Sequence, residues 1–185
     1  MKKFLIAGLG NMGAMYEKTR HNIGFKVLDT LVNMYSSSFV SETLGSVAQI
    51  QVKGKCFILL QPDTYMNLSG KAVVHWMNKG KISLERLLII TDDIHLDFGA
   101  LRISEKGSDG GHNGLKNVQE VLNTSSYARL RFGIGNSFSK GKQVEHVLGE
   151  WTEEELSMLP SRLTKAAESA ISFGLNHLQH TMFFF

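Results

Sequence analysis

The side chains best suited to catalysis in this chain are polar residues that each follow an apolar run. They are Asn11, His21, Asn67, Asp92, His112 and Asn113. A histidine titrates near neutral pH and can take a proton from water, provided that a partner such as a carboxylate holds its second ring nitrogen. An asparagine amide donates and accepts hydrogen bonds, which suits it to bind a substrate. The set predicts metal-free acid–base hydrolysis, and no serine elbow is present to suggest a serine hydrolase.

These residues can act together only if one sheet positions them. Apolar runs and helical patterns alternate, which predicts an α/β fold: a three-layer sandwich with a twisted, mixed, mostly parallel sheet between helices. The predicted strands are Phe4–Ala7, Val47–Val52, Cys56–Leu60, Leu87–Thr91, Ala100–Ser104 and Leu130–Ile134. Ligands of open α/β sheets bind beyond the carboxyl ends of parallel strands, so parallel strands would bring the polar residues into one cleft.

Helical patterns occupy the segments between these strands. The predicted helices are residues 22–35, a segment through Val73 and Met77 that ends at Gly80, residues 115–122, and two C-terminal helices. Thr152 and Glu155 have the spacing of a capping box, which begins the first C-terminal helix. Pro160 is expected to separate that helix from the last one, because proline breaks a helix interior.

Composition limits the class of protein. The 185 residues are 43% hydrophobic and 20% charged, so we expect one globular domain over residues 1–185. Cys56 is the single cysteine, which excludes an internal disulfide and a cysteine-rich metal site and indicates a cytoplasmic protein. We expect a monomer, although no residue pattern determines the oligomeric state. His177 and His180 have no further ligand beside them, so no metal is expected. No run approaches a membrane span, and the net charge of +3 allows an anionic partner.

A dinucleotide-binding loop is the main alternative. Gly8, Gly10 and Gly13 have its spacing, which would indicate a nucleotide-dependent dehydrogenase. In that fold the helix opens within the glycine motif, whereas Ala14–His21 here separates the glycines from the helix. An acidic residue is also needed at the tip of the second strand, but Asp29 falls within the helix and Glu42 is expected in a polar loop before any strand. An RNA-binding module without activity is a third possibility.

Structural roles compete with each catalytic assignment. His21 taken alone could cap a helix or lie on the surface, and Asp92 could be a turn residue at a strand end. Asn67 and Asn113 each precede a helix, and asparagine is a good N-cap. Capping and catalysis are compatible, so these alternatives leave the predicted site intact.

Several segments together resemble the bacterial-type peptidyl-tRNA hydrolase family. As far as Gly149 they read GLGNMG…TRHN, TYMNLSG, IITDD, GGHNGLK and RLRFGIG. The resemblance implies hydrolysis of the ester between a peptide and the 3′-terminal ribose of tRNA, without a cofactor. It implies that His21 is the general base, that Asp92 orients its imidazole, and that Asn113 orients the water or stabilises the oxyanion.

The resemblance also implies contacts with the two parts of the substrate. The implied substrate-binding residues are Asn11, Tyr16, Met66, Asn67, Gly110 and His112. Arg102 matches a basic tRNA-binding residue of the family, while Ser104 stands where a lysine is usual. Lys106 has the strand parity of Arg102 and could face the same phosphate if the strand extends that far. Arg129 and Arg131 are expected on a solvated strand face, with contact to tRNA or the cleft as the alternative for Arg131.

Overall fold

Seven strands form one sheet in the computed structural model of the chain, which describes residues 1–176. They are β1 Lys3–Gly8, β2 Val40–Glu42, β3 Gly45–Val52, β4 Lys55–Pro62, β5 Leu87–Asp93, β6 Leu101–Ser104 and β7 Ala128–Gly133. Their order across the sheet is β2-β3-β4-β1-β5-β7-β6. The central strands β4, β1, β5 and β7 run parallel, and β3 and β6 run antiparallel to their central neighbours. The predicted mixed α/β sheet is confirmed, with β2 added as a short exposed edge strand.

Helices cover both faces of this sheet. Within residues 1–176 they are α1 Ile23–Met34, α2 Ser69–Gly80, α3 Asn113–Leu122, α4 Gln143–Val147 and α5 Glu153–Leu175. On β1, Phe4 and Ile6 join the buried cluster of α1 and α5, while Leu5 and Ala7 join that of α2 and α3. A strand buried on both faces is apolar throughout, which explains the unbroken run. The three-layer sandwich is confirmed, and no helix of residues 1–176 is long and apolar enough to cross a membrane.

The expected break at Pro160 is wrong, because α5 is continuous across it. The helix begins at the predicted capping box, in which Thr152 Oγ1 accepts a hydrogen bond from Glu155 N at 3.2 Å. Pro160 itself is exposed, and buried residues of α5 lie on both sides of it. Packing of the long helix therefore outweighs the cost of about 3 kcal/mol for an interior proline. The pair His177 and His180 lies outside the described residues.

The expected solvated position of Arg129 is also wrong. Its strand, β7, lies between β5 and β6, and the residue is 0% exposed. The guanidinium donates hydrogen bonds to the carbonyl oxygens of Gly107 at 3.0 Å and Ser125 at 2.6 Å. It also lies over the Tyr127 ring, 4.1 Å from the centroid. The side-chain alternation is as predicted, but the loop after β6 covers this face, and its carbonyl oxygens accept hydrogen bonds from Arg129 Nη1.

The glycines after β1 allow close packing. A Cβ on Gly8 would lie 2.3 Å from the carbonyl oxygen of Gly24, and one on Gly10 would lie 2.8 Å from the Phe25 ring. Gly13, at φ +101°, adopts a backbone conformation that favours glycine. α1 begins only at Ile23, so the helix does not open within the glycine motif as a dinucleotide fold requires.

Candidate active site

Three parallel strands deliver predicted site residues to one edge of the sheet. Asn11 and the 3₁₀ turn Arg20–Asn22 follow β1, and Met66 follows β4. Asp92 lies near the carboxyl end of β5 and is 3% exposed. The parallel pairing of these strands therefore produces the convergence that the sequence predicts.

His112 and Asn113 reach this edge by a route that the sequence analysis does not predict. The preceding strand, β6, pairs antiparallel with β7, so its carboxyl end points away from the site. Residues 105–111 must therefore run back to the site edge. Arg129 and Arg131 hold this loop through its carbonyl oxygens, with Arg131 Nη2 donating to Ser108 O at 3.0 Å.

His21 and Asp92 form a hydrogen-bonded pair. His21 Nδ1 lies 2.8 Å from Asp92 Oδ2. Burial lowers the pKa of His21, but the charge of Asp92 and this hydrogen bond outweigh it, so the pKa lies above the ordinary 6.5. With Nδ1 engaged, Nε2 is the ring nitrogen left to accept a proton.

A second imidazole contacts the other oxygen of the same carboxylate. His112 Nε2 lies 2.8 Å from Asp92 Oδ1, and the two histidine rings are 5.0 Å apart. His112 Nδ1 accepts hydrogen bonds from Gly114 N at 3.1 Å and Leu115 N at 3.2 Å, at the start of α3. Burial raises the pKa of Asp92, but the two imidazoles outweigh it and hold that pKa well below its usual range.

A cavity of about 370 Å³ lies beside this histidine–aspartate cluster. The predicted residues that line it are His21, Asp92, Arg102, Gly110, His112, Asn113 and Arg131. Arg102 and Arg131 are register partners on β6 and β7, and Arg131 Nε lies 3.9 Å from Asp93 Oδ2. The predicted base His21 and the two arginine side chains therefore line the same cavity.

The other predicted substrate residues do not line this cavity, and Asn11 lines a separate depression with Gly13, Glu17 and Phe25. Asn11 Oδ1 accepts a hydrogen bond from Met66 N at 2.7 Å, which joins the segments after β1 and β4. Met66 Sδ packs close to Gly114, next to Asn113. Asn67 is exposed in the turn after Met66, and Tyr16 is half-buried; neither lines the cavity.

Lys106 does not extend the strand of Arg102, contrary to the prediction. β6 ends at Ser104, so strand parity no longer applies at Lys106. Lys106 lies in a separate depression with Leu84 and Ser126. The structure thus removes the reason for pairing Lys106 with Arg102.

Comparisons with known proteins agree with this geometry. The family model for peptidyl-tRNA hydrolase matches residues 5–185. A peptidyl-tRNA hydrolase of Bacteroides fragilis is 52% identical over 180 residues, covering 97% of this chain and 96% of that protein. One of Parabacteroides distasonis is 51% identical, with the same coverage. The chain belongs to the peptidyl-tRNA hydrolase family.

A solved structure supports the assignment at the level of the fold. The crystal structure of peptidyl-tRNA hydrolase from Acinetobacter baumannii matches with a TM-score of 0.90 and 32% sequence identity. The match covers 97% of this chain and 92% of that chain. The seven-stranded sandwich is thus the fold of this family.

Two features of this family member are not evident from its sequence pattern. α4 forms one wall of the cavity through Gln143, Val144 and Val147, although it is only five residues long and none of them is buried. Asn113 does not cap α3, because the His112 ring accepts the cap hydrogen bonds. Asn67 likewise does not cap α2, whose N-cap position is occupied by Leu68.

Arg20 connects the turn that carries His21 to the C-terminal part of the chain. Its Nη2 lies 2.9 Å from Glu155 Oε1, and its Nη1 donates to His146 O at 3.0 Å. Its guanidinium also lies over Trp151, 5.7 Å from the ring centroid. Arg20 belongs to the TRHN segment that carries part of the family resemblance. Its partners lie too far along the chain for a local sequence pattern to reveal these contacts.

Within the part of the chain that the structure describes, the cluster already described is the one group that could hold a metal. Within residues 1–176, His21, Asp92 and His112 are the group of three whose ligand atoms lie within 4.8 Å of one another. Both nitrogens of His112 and one nitrogen of His21 already have hydrogen-bond partners. This pattern fits a proton-transfer site.

Proposed function

We propose that this chain hydrolyses the ester of peptidyl-tRNA, with His21 as the general base. The observation that carries the proposal is the 2.8 Å contact between His21 Nδ1 and Asp92 Oδ2 beside the cavity. Asp92 accepts the Nδ1 hydrogen, which leaves the Nε2 lone pair for a water molecule. Family membership supports peptidyl-tRNA as the substrate, and this geometry supports His21 as the general base.

The reaction then follows the movement of one proton. Water donates a proton to His21 Nε2 as its oxygen bonds to the ester carbonyl carbon. The negative charge of Asp92 stabilises the imidazolium that forms. When the tetrahedral intermediate collapses, the bond to the ribose oxygen breaks and that oxygen takes the proton from His21. The products are a tRNA with a free 3′-terminal hydroxyl and a peptide with a free carboxylic acid, which releases its proton to the solvent.

We assign the asparagines to the peptide and the carbonyl group. Asn113 lines the cavity and is exposed at the first turn of α3, so its amide is available to the water or the oxyanion. Asn11 and Asn67 lie on segments joined by the hydrogen bond between Met66 N and Asn11 Oδ1 and are assigned to the peptide, with Met66 as an apolar wall. Tyr16 and Gly110 are assigned to further contacts with the substrate.

Arg102 and Arg131 are assigned to the tRNA. Both line the cavity and lie opposite each other in the sheet, so one phosphate could contact both guanidinium groups. Arg131 is partly neutralised by Asp93, whereas Arg102 is exposed and has no acidic partner within salt-bridge distance among the described residues. Arg102 is therefore the stronger assignment, and Lys106 is left as a weaker one.

The enzyme is proposed to act as a single-domain monomer in the cytoplasm, where translation supplies its substrate. Light scattering should give a mass near 20.6 kDa. A stable dimer would contradict this part of the proposal.

Deacylation of N-acetyl-aminoacyl-tRNA tests the proposed function. The wild-type protein should release free tRNA, and His21→Ala should lower kcat by about 10²–10⁴ while tRNA binding persists. His75→Ala is the matched control, because this histidine lies on α2 outside the cavity. No release by the wild type would refute the function, and near-normal activity of His21→Ala would refute the base.

A further inference from the structure

We propose that His112 is a positioning residue that fixes the Asp92 carboxylate for His21. This inference rests on the proposed function, in which Asp92 orients the base. The His112 ring lies between the start of α3 and Asp92, and it contacts both through different nitrogens. It thereby anchors Oδ1, so that Oδ2 faces His21.

The backbone of α3 determines which nitrogen of His112 carries the hydrogen. Nδ1 faces the N–H groups of Gly114 and Leu115, both of which are donors, so Nδ1 must accept. The ring hydrogen is therefore on Nε2, where Asp92 Oδ1 lies at 2.8 Å and Thr91 Oγ1 at 2.7 Å. A helix terminus thus orients a catalytic carboxylate through one imidazole.

This arrangement gives the two histidines different roles. His21 lines the cavity with Nε2 free, whereas both nitrogens of His112 are engaged within the protein. Protonation of His112 would cost its hydrogen bonds to α3. His112 is therefore a fixed donor to Asp92, whereas His21 has a ring nitrogen available to exchange a proton with substrate.

Two substitutions separate the two contacts of His112. The side-chain oxygen of Asn is the same number of bonds from Cβ as Nδ1 of His, so His112→Asn keeps the cap and loses the contact to Asp92. The side-chain nitrogen of Gln matches Nε2 in the same way, so His112→Gln keeps the donor and loses the cap. If His112 only stabilises the start of α3, His112→Asn should keep more activity than His112→Gln. If His112 positions Asp92, His112→Gln should keep more activity than His112→Asn.

The first readout is the titration of His21, followed by NMR without substrate. Loss of the His112 donor makes Asp92 a stronger partner for the His21 imidazolium, so His21 should titrate at higher pH in His112→Asn than in the wild type. The other ionisable groups that border the cavity are Asp93, His95, Arg102, Asp109 and Arg131. They are the same in both variants, so their effects cancel in the comparison.

Kinetics and thermal unfolding complete the test. We expect His112→Asn to unfold near the wild-type temperature, with kcat lower by about tenfold and KM within about threefold. His112→Gln should unfold about 2–4 °C lower and retain the wild-type titration of His21. Wild-type kcat and His21 titration in His112→Asn would overturn the proposal, as would equal titration shifts in both variants. Because the titration needs no substrate, a failure of the wild-type deacylation assay would reject the function without obscuring this result.

Discussion

Replacement of Asp92 by asparagine is expected to place the His21 hydrogen on the wrong nitrogen. His112 Nε2 carries a hydrogen, because its Nδ1 accepts from the backbone of α3. The introduced amide must therefore turn its oxygen toward His112, which leaves its NH₂ group facing His21 Nδ1. The His21 hydrogen then moves to Nε2, and no lone pair remains there to take a proton from water.

The expected loss follows from two contacts. The hydrogen bond between His21 and a charged carboxylate contributes about 1.5–3 kcal/mol. Returning the hydrogen to Nδ1 would place two donors against each other, at a further cost of about 1–3 kcal/mol for the unsatisfied group. Together these lower kcat by about 10²–10⁴, as measured by deacylation of N-acetyl-aminoacyl-tRNA. KM should change little, because Asp92 is buried beneath His21.

The pH dependence of the deacylation rate gives an independent test of the role of Asp92. In the wild type, His21 must be neutral to act, so activity should fall as pH drops through a pKa above 6.5. Asp92→Asn removes the charge that raises this pKa, whereas burial continues to lower it. The residual activity should therefore decline at a pH below 6.5. An acid limb that stays at the wild-type position would refute the reasoning.

A double variant tests the locked orientation of the amide introduced by Asp92→Asn. In Asp92→Asn/His112→Asn, no ring hydrogen holds the oxygen of that amide, so the amide can turn and accept from His21 Nδ1. Activity should then be at least that of Asp92→Asn and up to about tenfold higher, because one hydrogen bond is regained. Losses that simply multiply would show that His112 does not determine the orientation of the side chain at position 92.

Three further experiments test other parts of the structure. Arg102→Ala should lower the slope of log Kd for tRNA against log salt by about 0.7–0.9, because one phosphate contact is lost. Arg86→Ala is the control, since Arg86 lies before β5 at the opposite edge of the sheet. An unchanged slope in Arg102→Ala would exclude Arg102 from the interface. Arg20→Ala and Glu155→Gln should each destabilise the fold in urea, with a coupling of about 1–2 kcal/mol in a double-mutant cycle. Pro160→Ala should raise the unfolding temperature by several degrees, since it restores an interior helix bond; no gain would mean that Pro160 carries no strain.

The sequence predicts those parts of the fold that local patterns determine. β1 and β5 are buried on both faces, so their unbroken apolar runs identify them directly. The positions of His21 and Asp92 follow from the rule that ligands bind beyond the carboxyl ends of parallel strands. Their hydrogen bond therefore required only the correct order of parallel neighbours, which the sheet provides.

The remaining features depend on contacts that no local pattern contains. Arg20 and Glu155 are 135 positions apart, and Arg129 is satisfied by carbonyl groups about 20 positions earlier, at Gly107 and Ser108. The local rule predicts a helix break at Pro160, but the packing of α5 on both sides of this residue keeps the helix continuous. In each case a long-range contact changes the environment that the local sequence alone would suggest.

The shared carboxylate shows why residue type alone could not distinguish the two histidines. His21 and His112 each lie 2.8 Å from one oxygen of Asp92, so their contacts with the acid are equivalent. The difference lies at the opposite nitrogen of each ring, which is free beside the cavity in His21 and accepts from two backbone N–H groups in His112. A general base needs a lone pair that substrate water can reach, and only His21 has one. The catalytic assignment therefore depends on the return of the loop after β6 and the start of α3, as well as on the histidine–aspartate pair itself.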